Sequence, residues 1–90
     1  MEKKYRLTLE YCVPWNYLNR ATRAVEELLG DYQHVIEDFR LVMGSGGAFE
    51  FKVDGELLYS KKSMQRRHAE PGELLELFRE VVGPEIPIYE

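Results

Sequence analysis

The stretch Tyr5-Arg6-Leu7-Thr8-Leu9-Glu10-Tyr11-Cys12-Val13-Pro14-Trp15 decides how this chain is read. Its first seven residues alternate, with Tyr5, Leu7, Leu9 and Tyr11 on one side and Arg6, Thr8 and Glu10 on the other. That period of two predicts a strand with one buried and one solvated face. The only cysteine of the protein follows at once, and a proline stands two residues beyond it. Proline is favoured at the first helical position, because its missing N–H is one the helix could not have used. The pattern therefore predicts a helix over 14–29 that stops at Gly30, a residue suited to a left-handed cap. On this reading Cys12 sits just outside a helix N-terminus, where the macrodipole and free N–H groups stabilise a thiolate.

Outward from that stretch, the helix carries an apolar stripe of Leu18, Ala21, Val25, Leu28 and Leu29, with Asn16, Asn19, Arg20, Arg23 and Glu27 on the wet side. A second strand is predicted over 35–43, with Phe39, Leu41 and Met43 facing inward, and Gly44-Ser45-Gly46-Gly47 breaks it. Phe49, Phe51 and Val53 mark a third strand, and Asp54-Gly55 is a strong two-residue hairpin signal. The fourth strand, 57–61, would then set Phe51 opposite Leu58, Phe49 opposite Ser60 and Glu50 opposite Tyr59. A polar, basic loop follows over 61–70. A second helix is expected from about Pro71, carrying Leu74, Leu77, Phe78 and Val81, and Gly83-Pro84 ends it. The tail over 84–90 is too short and proline-broken for another element, with Ile86 and Ile88 available to cover a core edge.

Composition bounds the rest. Ninety residues predict a single domain over 1–90, 44% hydrophobic and 31% charged, which suits a folded chain and not a disordered one. The net charge of −4 argues against an extended nucleic-acid footprint, which needs a basic excess. A lone cysteine allows no internal disulfide and points to a reducing compartment. The charged start at Met1-Glu2-Lys3-Lys4 predicts no signal peptide, and no apolar window has the length of a membrane span. The expectation is a cytoplasmic protein that binds neither membrane nor nucleic acid.

The order β-α-β-β-β-α implies a parallel crossover between the first two strands and antiparallel pairing in the hairpin. One-sided alternation in the first strand argues that both helices cover the same face, giving an α+β two-layer sandwich. Parallel first strands bring Cys12 and the glycine-rich break to one end of the sheet, and the fourth strand returns the chain to that end. Val13, Pro14, Trp15, Ser45, Gly46, Lys61, Lys62, Arg66 and Arg67 are therefore the residues expected to shape a site around Cys12. Four cations there would help to stabilise a thiolate and attract an anionic thiol such as glutathione. Each feature also has a plainer reading. Cys12 could be a small core hydrophobe, Trp15 a shield for the first helical turn, the glycines a turn or a loop that must pass close to Cys12, and the basic run a solvated loop. His34 and His68 lack partners at ligand spacing, so no metal site is expected.

Taken together, the ordered motifs resemble the selenoprotein W-related (Rdx) family of small thioredoxin-like proteins. They are Tyr11-Cys12-x-x-Trp15, Arg20-Ala21, Gly46-Gly47-Ala48-Phe49-Glu50-Phe51, Asp54-Gly55, Ser60-Lys61-Lys62 and Pro71-Gly72-Glu73-Leu74. The resemblance implies a thioredoxin-like fold with a mixed four-stranded sheet and a thiol redox role, often linked to glutathione. Members carry a second cysteine or a selenocysteine where this chain has Trp15, so an intramolecular disulfide cycle is impossible here. Two readings follow. One is a single-thiol redox protein that uses Cys12, needs no bound cofactor and turns over with glutathione or a thiol/disulfide partner protein. The other is a non-catalytic interaction module, which keeps the fold and contacts a partner protein through Trp15, Val13 and the nearby loops.

Overall fold

The strand opened by Tyr5 becomes the centre of the sheet. A computed structural model describes residues 3–14, 16–62 and 69–90. In chain order the elements are β1 (Tyr5–Cys12), α1 (Leu18–Tyr32), a 3-10 turn (Gln33–Val35), β2 (Ile36–Gly44), β3 (Phe49–Val53), β4 (Glu56–Ser60) and α2 (Glu73–Val82). The sheet order is β2-β1-β3-β4, with β1 parallel to β2 and antiparallel to β3. This is the mixed four-stranded α+β architecture expected from the pattern.

Leu7, Leu9 and Tyr11 are buried against Ala21, Ala24, Leu28 and Tyr32 of α1 and Leu74 and Phe78 of α2, so both helices join one core on one side of β1. Phe78 is its hinge point. It meets Tyr5 and Tyr32 edge-to-face, with ring centroids 5.4 Å and 5.5 Å apart, a geometry favoured by the ring quadrupoles. The hairpin turn is held to β1 by reciprocal bonds. The Asp54 N–H donates to the Arg6 carbonyl (2.8 Å), and the Arg6 N–H donates to the Asp54 carboxylate (2.9 Å). Positive φ at Asp54 (52°) and Gly55 (84°) is the left-handed pair that a tight hairpin demands.

Several expectations are corrected. The first helix starts at Leu18, not Pro14, and runs through Gly30 to Tyr32. The chain between Cys12 and Tyr17 closes its own hydrogen-bonded turn, so Pro14 precedes the helix by a full turn. Leu18 is exposed, and Ala24 and Tyr32 join the buried stripe in its place. Val35 falls in the 3-10 turn. Leu41 and Met43 pair in register with Leu9 and Tyr11 and so share their face, yet Met43 is 70% exposed, because β2 is the sheet edge and the core cluster does not reach its far end.

The hairpin register also differs. Lys52 pairs with Leu57 as the turn predicts, but an irregularity after Phe51 shifts the rest, so Phe51 opposes Tyr59 and Glu50 opposes Ser60. The extra residue turns the large Tyr59 ring into the core, where it meets Phe49 edge-to-face at 6.5 Å, a burial the regular register would have denied it. The second helix starts at Glu73, after a left-handed Gly72 whose N–H donates to the Glu27 carboxylate of α1 (3.1 Å). It stops at Gly83 as expected. Its Val81 is exposed, and in the tail Ile86 packs on the core while Ile88 does not.

Because Phe78 joins the sheet layer to α1 through two ring contacts, Phe78→Ala should cost about 3–5 kcal/mol. Urea denaturation followed by circular dichroism would show it as a large fall in midpoint, whereas Val81→Ala on the exposed side should move the midpoint little.

Candidate functional site

The site is built where β1 ends. Cys12 pairs with Gly44 at the last rung of the parallel ladder, and the Val13 N–H donates to the Gly44 carbonyl at 3.0 Å. The chain then coils tightly. The Asn16 N–H donates to the Val13 carbonyl (2.9 Å), the Tyr17 N–H to the Cys12 carbonyl (3.2 Å), and the Ala21 N–H to the Tyr17 carbonyl (3.1 Å). Asn16 takes a left-handed conformation (φ 59°), which asparagine tolerates better than most residues. Cys12 is thus held by a turn and not by the first turn of a helix. The thiolate-stabilising dipole expected of a helix starting at Pro14 has no such geometry, since α1 begins at Leu18 with no side-chain cap.

What reaches the sulfur instead is the glycine-rich break. The Gly47 N–H donates to Cys12 Sγ at 3.2 Å, and Cys12 is 0% exposed. By alternation Cys12 shares the phase of Thr8 and Glu10, the side of β1 opposite the helices. It would face solvent there if residues 44–48 did not fold over it, and Gly47 and Ala48 are themselves buried in doing so. Gly46 and Gly47 both adopt positive φ (70° and 78°), which lets the loop turn back sharply enough to aim an amide at the sulfur. The thiol is therefore an acceptor with a backbone donor, enclosed in the resting structure.

Around it the structure places some of the expected residues and not others. Val13 and Pro14 are exposed beside the turn, and Ser45 and Gly46 are exposed at the loop tip. Lys61 lies at this end of the sheet. Its N–H donates to the Phe49 carbonyl (3.0 Å), and its ammonium stands 5.7 Å from the ring centre of Tyr17, the residue whose amide caps the Cys12 carbonyl. Lys62 is exposed. Trp15, Arg66 and Arg67 lie outside the described residues. Among the described residues no cluster of His, Cys, Asp or Glu could hold a metal, and no helix is long and apolar enough to cross a membrane. His34 belongs elsewhere, its Nε2 2.9 Å from the Pro87 carbonyl of the tail.

Three features of the site escaped the sequence reading. Gly47 is the residue that contacts the sulfur. Glu10 and Glu50 face each other across β1 and β3 on the thiol's side of the sheet, and Glu50 accepts hydrogen bonds from the Ser60 hydroxyl and the Phe49 N–H. Glu10 also lies against Gly44, where an added Cβ would come within 2.9 Å of its Cγ. Asn16, Asn19, Arg20 and Arg23 line an open cleft beside the turn after Cys12, and Arg20 and Arg23 also border a separate hollow lined by Phe49, Ala69 and Leu74. The i, i+3, i+4, i+7 spacing of those four polar residues was the available signal, and it was read only as a wet helix face.

Comparison with known proteins adds four findings. A model of the Rdx family matches residues 6–80. A crystal structure of a Bordetella parapertussis protein is similar, with 26% identity, a TM-score of 0.79, and coverage of 87% of this chain and 98% of that one. The crystal structure of a selenoprotein W-related protein from Vibrio cholerae is similar at 25% identity and a TM-score of 0.80, covering 90% of this chain and 100% of that one. No curated protein matches significantly.

The enclosure of Cys12 makes its reactivity a matter of loop opening. Alkylation of the native protein by iodoacetamide should be slow and should become fast in denaturant. Gly47→Ala, which forces a side chain into a left-handed conformation at a cost of about 1–2 kcal/mol, should raise the native rate roughly fivefold or more. Mass spectrometry of the quenched reaction would measure both.

Proposed function

The chain belongs to the Rdx family, and on that premise we propose that it is a thioredoxin-like redox protein working through the one thiol of Cys12. The observation that carries the proposal is the placement of this sulfur, at the end of a parallel strand and 3.2 Å from the Gly47 N–H. That backbone donor remains available to a mixed disulfide or sulfenate formed on the sulfur. With Trp15 in the position of a second cysteine, an outside thiol must complete the cycle.

In that cycle the 44–48 loop lifts, and the Cys12 thiolate attacks the glutathione sulfur of a glutathionylated partner protein. The partner leaves as its thiolate and Cys12 carries a glutathione mixed disulfide. A free glutathione thiolate then attacks the glutathione sulfur of that mixed disulfide, releasing the Cys12 thiolate and glutathione disulfide, so each turnover consumes one free glutathione, whose sulfur passes to the disulfide level as the partner's sulfur returns to the thiol. Glutathione serves as co-substrate and no resident cofactor is required. Its carboxylates find cations in Lys61, Lys62, Arg20 and Arg23. Val13, Pro14, Ser45 and Gly46 form the rim that the partner must meet. Such a cycle suits a reducing, cytoplasmic setting.

The complete burial of Cys12 favours one alternative, a protein-interaction module that keeps the fold and contacts its partner through the same rim. Glutathione-dependent release of glutathione from a glutathionylated model protein separates the two. The proposal expects turnover that disappears in Cys12→Ser and a glutathione adduct on Cys12 by mass spectrometry. Turnover that survives Cys12→Ser, or no adduct and no turnover in the wild type, would overturn it, the latter in favour of the interaction module.

A further inference from the structure

The two edges of the sheet are built differently. β4 has five residues, and its pairing with β3 is interrupted by the irregularity after Phe51, a common guard against further strand pairing. β2 has nine residues, and after one irregularity near its start its ladder with β1 runs without interruption from Asp38 to Gly44. It carries no proline, lysine or late bulge, and Leu41, Val42 and Met43 are all exposed along it. A long edge that is regular from Asp38 onward and apolar at its end offers a row of backbone donors and acceptors, a template for pairing with another chain.

The charge pattern identifies that occupant. β2 reads Ile36-Glu37-Asp38-Phe39-Arg40-Leu41-Val42-Met43-Gly44, acidic in its first half, then a single cation, then apolar. Glu37 is already held by Arg6 of β1, at 2.8 Å. Asp38 and Arg40 flank Phe39 and, being two residues apart on a strand, point to the same face. An antiparallel two-fold centred on Phe39 therefore sets each Asp38 directly opposite Arg40 of the second strand, twice over. Opposite charges at facing positions stabilise a strand pair and like charges destabilise it. A strand with this order is complementary to itself only when antiparallel, which is the relation that a two-fold axis imposes.

We propose that β2 is the interface through which two copies of this chain associate, joining their sheets edge to edge about Phe39. The contact is one strand wide, so association depends on concentration and is reversible.

Sedimentation velocity over a range of concentrations, with reductant present to exclude a Cys12 disulfide, tests this. The wild type is expected to shift from monomer towards dimer as concentration rises. Arg40→Asp places Asp opposite Asp, and Asp38→Arg places Arg opposite Arg, so each variant alone should stay monomeric. Mixed in equal amounts the two should form a heterodimer, because every facing pair is again opposite in sign. The double variant Asp38→Arg with Arg40→Asp should dimerise by itself and keeps the test decisive should a single variant fold poorly by circular dichroism. A wild type that remains monomeric throughout would overturn the proposal. So would single variants that associate as the wild type does, or a mixture and a double variant that both stay monomeric.

Discussion

The structure depends on β1 being paired along both edges. Parallel to β2 on one side and antiparallel to β3 on the other, it spends its backbone hydrogen bonds inside the sheet and leaves only its two faces to be assigned. The phase of Leu7, Leu9 and Tyr11 makes that assignment. A slip of one residue would send all three to the opposite side, so the hydrophobic cost of a wrong register is paid by the whole core at once. The reciprocal bonds between Arg6 and Asp54 clamp the hairpin to β1 in the same register. With that face settled, α1 and α2 have one surface to cover, and Phe78 connects them to it through Tyr5 and Tyr32.

The thiol inherits its environment from the same strand. Cys12 is the next residue in phase with Thr8 and Glu10, so it points away from the helices and is buried by a loop and not by the core cluster. That difference governs its chemistry. A sulfur packed beneath helices is released only by global unfolding, whereas one closed over by a short glycine-rich segment is released by local opening, which costs far less. The loop that hides the sulfur also supplies its hydrogen-bond donor, the Gly47 N–H. Glu10 and Glu50 on the same side place negative charge near the sulfur's surroundings, while Lys61 and the arginines of α1 place positive charge at the cleft on the other side of the turn.

The edges of the sheet show a comparable division of labour. The irregularity after Phe51 gives Tyr59 to the core and leaves Ser60 opposite Glu50, so β4 gains packing and loses regularity. β2 keeps its regularity from Asp38 onward and leaves Leu41, Val42 and Met43 in solvent. Both outcomes follow from where each strand stands in the order β2-β1-β3-β4, which only long-range pairing can set.

Periodicity, turn chemistry and the inventory of side chains were legible in the sequence, because each is a local property of the chain. The alternation from Tyr5 to Tyr11, the Asp54-Gly55 hairpin, the Gly83 stop and the β-α-β-β-β-α order needed no tertiary information, and the lone cysteine near Pro14 pointed to the candidate site. The family's motifs added the fold's name. Other features arise from contacts between residues far apart in the chain, and the tertiary structure decided them. Pro14 signalled a helix start, but hydrogen bonds from Val13 to Gly44 and from Tyr17 to Cys12 drew those residues into a turn and moved the start to Leu18. Hairpin arithmetic put Leu58 opposite Phe51, but the gain from burying Tyr59 overrode it. The register of β2 put Leu41 and Met43 on the core side, yet an edge strand is covered only as far as the helices reach. Above all, whether Cys12 met solvent, a helix N-terminus or the Gly47 amide depended on how residues 44–48 fold back across the sheet. That is a contact spanning thirty-five positions of sequence, and no local pattern encodes it.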